Sequence, residues 1–127
     1  MRLEASVELR TRIEETGRRI QSDYGKTSEK LQKLKNEMNR LEQQTQSRSL
    51  KALNLAIKRL KRLTDSQIMR SKKAWEEYRK LEQECKHCQP CPVQLGNLWA
   101  ACKKTEGLAA DLLCYSLARF KQSERQP

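Results

Sequence analysis

Apolar residues recur along the chain at intervals of three and four, the spacing that puts side chains on one face of an α-helix. Leu3, Val7, Leu9, Ile13, Ile20 and Tyr24 form a first series, and Leu31, Leu34, Met38 and Leu41 follow in the rhythm of a heptad seam. A third series runs through Leu50, Leu53, Ile57, Leu60, Thr64, Ile68, Trp75 and Tyr78. At ~100° per residue, Leu53, Ile57, Leu60, Thr64, Ser71, Trp75 and Tyr78 fall within a narrow arc. Polar Thr64 and Ser71 interrupt that arc, and such interruptions weaken helix pairing while specifying its register.

Breaks in this pattern divide the chain. Gly25, with Thr27 and Ser28 as candidate N-caps, separates an N-terminal helix over residues 1–25 from a coiled-coil and basic region over 28–85. Ser47 and Ser49 mark a weaker candidate break inside that region. Pro90 and Pro92 lack an N–H and cannot continue a helix, so residues 86–97 read as a Cys/Pro-rich linker, with Gly96-Asn97 adding turn character. A C-terminal amphipathic helix over 98–122 then carries Leu98, Trp99, Cys102, Leu108, Ala109, Leu112, Leu113, Leu117 and Phe120. Gly107 weakens its middle, and the tail Ser123–Pro127 is expected to fray.

The expected fold class is all-α: an elongated coiled coil or a short helical bundle, with the cysteine/proline break before the last helix. A rod over 28–85 would be about 85 Å long at ~1.5 Å per residue. The narrow seams favour a rod or an oligomer over a monomeric bundle, which needs a wider apolar face.

Composition agrees with narrow seams. Of 127 residues, 36% are hydrophobic, 34% charged and 5% aromatic, thin material for a large globular core. Only four Gly and three Pro argue against an all-β chain built on turns. No run of 18 apolar residues reads as a membrane span. The first 19 residues are charged throughout and lack the apolar core of a signal peptide. A cytoplasmic or nuclear location is expected if Met1 is the native start, and a secreted or luminal one if the chain is a fragment.

The net charge of +11 favours an acidic partner. Residues 46–83 carry +7 of it. On a helical wheel Lys51, Lys58, Arg59, Lys61, Arg62, Lys72 and Lys73 fall opposite the Leu53/Ile57/Leu60 seam. Such a face could track phosphates or an acidic protein surface, or simply keep a helix solvated. No aromatics interleave with it for base stacking, so any nucleic-acid binding would be sequence-independent and salt-sensitive.

Cys85, Cys88 and Cys91 are spaced C-x2-C-x2-C with His87 among them, and Cys102 and Cys114 follow. Cys85, Cys88, Cys91 and Cys102 are candidates for disulfides or for a metal site of unknown metal. Thiolates suit zinc, but the second C-x2-C pair of a standard module is missing. As disulfides they would need an oxidising compartment, and an odd count leaves one thiol free or intermolecular. As reduced thiols they would pack as small hydrophobes. A coil running into C-x2-C-P and then Trp99 resembles the necks of C-type-lectin receptors. That resemblance, confined to a short stretch, implies a disulfide-stapled extracellular or luminal stalk.

No nucleophile elbow, P-loop or HExxH motif occurs, His87 has no orienting group beside it, and no pattern calls for a cofactor. Glu76 and Glu77 read as helix-surface partners for Lys72, Lys73 and Lys80. The expectation is a non-enzymatic interaction protein, an adaptor or complex subunit, pairing with other helical chains as a homo- or hetero-oligomer. Leu31, Leu34, Met38, Leu41, Leu53, Ile57, Leu60, Trp75 and Tyr78 would form its partner-binding seam, and 98–120 a second docking helix. A disulfide-stapled stalk and a non-specific nucleic-acid-binding basic helix are the alternatives.

Overall fold

The computed structural model describes residues 4–44 and 47–125. They form three helices, α1 (Val7–Glu42), α2 (Ser47–Glu84) and α3 (Val93–Arg125), and among the described residues there is no strand. At ~1.5 Å per residue each helix is roughly 50–57 Å long. Arg12 pairs with Glu84, Arg19 with Glu77 and Glu37 with Arg59, so α2 runs antiparallel to α1. Gln67 bonds Thr105 and Cys102 bonds Ala74, so α3 runs antiparallel to α2. Asn39 and Glu42 meet Arg119, which sets α3 parallel to α1. All three pairs of helices pack on one another. The fold is a folded-back, up-down-up three-helix bundle, and the rod over 28–85 is not formed.

Local chemistry explains where the helices begin. Ser6 caps α1 by accepting a hydrogen bond from the Leu9 N–H at 3.1 Å, and Glu8 sits in the first turn, where the helix dipole favours an acid. After α2, a turn closes through a bond from Cys88 N–H to Cys85 C=O at 2.9 Å. The Gln89–Pro90 peptide is cis, and α3 starts directly after Pro92, whose carbonyl accepts from Leu95 N–H at 3.1 Å.

Two expected boundaries are overturned. α1 continues through Gly25, Thr27 and Ser28, so residues 1–25 are not a separate helix. Thr27 is buried rather than capping. The break falls instead between Glu42 and Ser47, beside the weaker serine signal. Gly96 and Asn97 do not form a turn but lie in the first turns of α3, which begins at Val93 rather than residue 98. In both places a helical glycine costs about 1 kcal/mol. Burying Leu31 downstream of Gly25, and Leu95 and Leu98 around Gly96, outweighs that cost. The tail expected to fray from Ser123 instead continues α3 through Arg125, and Gln126 and Pro127, like Leu3, lie outside the described residues.

The core has two apolar clusters with a polar layer between them. One cluster gathers Leu9, Ile13, Ile20, Leu81, Leu98 and Cys102 with their neighbours, at the end where α2 turns into α3. The other gathers Leu31, Met38, Ile57, Leu60, Leu108 and Leu112 at the opposite end. Between them lie Thr27, Gln67 and Thr105, one from each helix and all at least 97% buried. The Gln67 side-chain amide donates to the Thr105 carbonyl at 3.1 Å, and an Arg70 N–H donates to Thr27 Oγ1 at 2.9 Å.

Candidate interaction surface

The structure places every residue of the expected partner-binding seam in the chain's own core. Leu31, Met38, Leu41, Ile57 and Leu60 are buried, and Leu34, Leu53, Trp75 and Tyr78 are partly buried against the same clusters. The seam is a real helical face, but α1, α2 and α3 bury it among themselves. A narrow face is enough here because three helices share one core, each shielding the other two.

The seven residues of the expected basic face on α2 do not act as one strip. Arg59 and Arg62 line the groove facing α1 together with Lys30 and Lys33. Lys73 lines the neighbouring part of that groove with Arg19, Asp23 and Glu77. Lys61 turns to the other flank, its ammonium 6.0 Å from the centre of the Phe120 ring on α3. Lys51, Lys58 and Lys72 are exposed. Folding therefore splits the predicted face between two grooves and the outer surface. Glu77 likewise leaves its own helix to pair with Arg19 on α1.

All five cysteines are free thiols. Among the described residues no three His, Cys, Asp or Glu side chains converge as a metal-binding group. Cys85, Cys88 and Cys102 are buried in the first apolar cluster, whereas Cys91 and Cys114 are exposed. Burial pushes the Cys102 thiol up to about 11, helped by the carboxylates of Glu77 and Glu106, and its S–H lies 3.5 Å from the Ala74 carbonyl. Burial also raises Cys85, with Cys88 and Cys91 adding to the effect. A thiol held protonated is a poor nucleophile and a poor metal ligand. That applies to Cys85 and Cys102; Cys88 joins them as a core hydrophobe by its burial alone.

The outer side of α3 is different. Leu98, Cys102, Thr105, Ala109 and Leu112 form its buried stripe, none more than 8% exposed. One residue further on, Trp99, Lys103, Glu106, Ala110, Leu113, Leu117 and Phe120 repeat the same alternation of fours and threes, and all are exposed. The single amphipathic face expected for α3 is thus two heptad stripes, about 100° apart on the helix.

The stripe's two halves differ. At the N-terminal half, Trp75 Nε1 donates to Glu106 at 2.8 Å, and the Lys103 ammonium sits 5.7 Å and 5.4 Å from the Trp75 and Trp99 rings. This network of cation–π contacts and a charged hydrogen bond ties the ring edges to charged groups, while Trp99 itself stays 45% exposed. In the C-terminal half a single such contact, Lys61 over the Phe120 ring, reaches the stripe, and no ring or charge contact lies over Leu113 or Leu117 among the described residues. Leu113 is 43%, Leu117 54% and Phe120 46% exposed, in line over two turns, with Lys61 of α2 at the rim. Both stripes were written in the sequence, but without knowing the neighbours they read as one wide face. The signal that separates them is a second heptad series offset by one position.

No helix among the described residues is long and apolar enough to cross a membrane. Comparison with protein families, with curated proteins and with solved structures finds no match, so the functional reading rests on the chain itself.

Proposed function

We propose that this chain is a non-enzymatic helical interaction module, an adaptor or complex subunit, that docks a partner helix along the outer stripe of α3. One observation carries the reading: a heptad series ending in Leu113, Leu117 and Phe120 stays exposed after the bundle has buried its core. Heptad-spaced apolar residues at a surface are the half of a helix–helix interface that a partner completes. The residues in play are Ala110, Leu113, Leu117 and Phe120, in place of the seam that the fold consumes.

The partner's chemistry follows from charge. Lys61 stands beside Phe120, and the whole chain carries +11. A second copy would bring like charge, whereas a helix with an apolar stripe flanked by Glu or Asp would be steered in and held. A designed peptide with Leu at the seam positions and Glu beside them serves as the probe. Binding is expected by titration calorimetry, and Leu117→Asp should abolish it while leaving the far-UV helical signal unchanged. A peptide with Lys in place of Glu should bind much more weakly. Equal binding of both peptides, or binding that survives Leu117→Asp, would rule the surface out. Light scattering of the isolated chain is expected to give a monomer. A dimer lost in Leu117→Asp would make a second copy the occupant.

A further inference from the structure

We infer that the groove between α1 and α2 is a binding site for a compact ligand bearing two or more neighbouring phosphate groups. The groove has a volume of about 410 Å³ and is lined by Lys30 and Lys33 from α1 and by Arg59, Arg62 and Arg70 from α2, with no carboxylate in its lining. Leu34 and Leu63 form apolar parts of its wall. Five cations around one opening repel each other, a cost that an anion seated among them removes.

The adjoining stretch of the same interface shows what an ordinary, self-compensated surface looks like in this protein. There Arg12 pairs with Glu84 at 2.9 Å and Arg19 with Glu77, and Asp23 lies beside Lys73. In the basic groove the one ion pair among the described residues is Glu37 with Arg59, 3.9 Å apart at the margin, and Arg70 at the other end shares the adjoining pocket with Asp23. Lys30, Lys33 and Arg62 make no ion pair among the described residues. Arg70 is held in place by its bond to Thr27, so part of the site is ordered in advance.

Phosphate is the matching chemistry. Three guanidinium groups present paired N–H donors that fit phosphate oxygens two at a time, and two ammonium groups supply further charge. The size argues for a compact ligand. Arg59 to Arg70 spans roughly 16 Å of helix at ~1.5 Å per residue, too short a track for a duplex backbone to gain much. The phosphates would come from a free polyphosphorylated molecule or from a lipid headgroup.

Two probes separate these sources: inorganic tripolyphosphate in solution, and phosphatidylcholine vesicles with and without phosphatidylinositol bisphosphate. Binding of the full chain is measured against each, with Arg59→Ser/Arg62→Ser and Lys30→Gln/Lys33→Gln as groove variants. Lys58→Ser/Lys72→Ser removes the same charge from the exposed outer surface. Each groove variant is expected to bind about tenfold more weakly or worse, the loss of one charge-assisted hydrogen bond or more, with circular dichroism unchanged. The outer variant should stay near the parent. Tripolyphosphate binding points to a free ligand; binding only to the bisphosphate vesicles points to a headgroup. The site is disproved if neither probe binds, or if the outer variant loses as much as the groove variants, which would make binding a matter of net charge. Because Leu117→Asp lies on another helix face, it should leave phosphate binding intact.

Discussion

Cys102 shows how burial sets the chemistry of a single residue. It is fully buried, and its thiol titrates near 11 in place of its ordinary 9.0. Between those values the unfolded chain releases a proton that the folded chain keeps. Stability is therefore full below about pH 9 and falls as pH rises towards 11, by roughly 2–3 kcal/mol over the whole window. Thermal unfolding measured across that range should show a smaller fall in Cys102→Ala, although that variant starts less stable. An identical fall would place the alkaline sensitivity elsewhere. Accessibility gives a second expectation: under native conditions a thiol alkylating reagent should modify Cys91 and Cys114 rapidly and Cys85, Cys88 and Cys102 only on unfolding. Rapid modification of Cys102 would contradict its place in the core. The cysteine cluster was the most distinctive signal in the sequence. Its spacing could not tell thiols packed in a core from metal ligands, because the difference lies in which way each side chain faces.

Among the helices, glycine and leucine test different parts of the argument. Gly25 and Gly107 lie inside α1 and α3, and a Cβ added at either meets nothing within 4 Å. Gly25→Ala and Gly107→Ala should each stabilise the bundle by about 0.5–1 kcal/mol and raise Tm by a few degrees. A lower Tm for Gly25→Ala would mean that α1 breaks there, as the sequence by itself had suggested. Leu60, at 0% exposure in α2, gives the opposite case. Leu60→Glu would put an unpaired carboxylate into the second apolar cluster, and the chain should lose cooperative unfolding rather than merely fail to assemble. A folded, monomeric Leu60→Glu chain would mean that the seam is not the core. Helix periodicity was legible throughout. The breaks were less so, because glycine and serine propensities amount to about 1 kcal/mol and tertiary burial of Leu31, Leu95 and Leu98 exceeds that.

At the scale of the whole molecule, the bundle's far end depends on one arginine. Arg119 of α3 pairs with Glu42, donates to Asn39 at 3.2 Å and to Tyr115 at 3.1 Å, and lies over the Tyr115 ring. Its burial lowers the guanidinium's proton affinity, and the Glu42 carboxylate lies against it. Arg119→Met should therefore loosen the end where α1 and α3 meet. Hydrogen exchange is expected to quicken in the last turns of both helices while the cluster around Ile13 and Leu98 stays protected. Uniform loss of protection would mean that the two clusters unfold as one unit. The polar layer of Thr27, Gln67 and Thr105 fits this division, since it interrupts the apolar core between them.

The sequence by itself determined that this chain is helical, that its apolar residues run in narrow heptad stripes, and that Pro90 and Pro92 separate the last helix. Those features depend on the spacing of neighbours along the chain, within reach of a few residues. Tertiary structure alone decided that the helices fold back, and so that the Leu31 to Tyr78 seam is core rather than interface. It also decided that the second stripe of α3 stays outside, and that Lys30 and Lys33 join Arg59, Arg62 and Arg70 across a groove. Those outcomes depend on which faces meet. Periodicity says that a face will be buried, but the partner that buries it is set by packing between residues far apart in the chain.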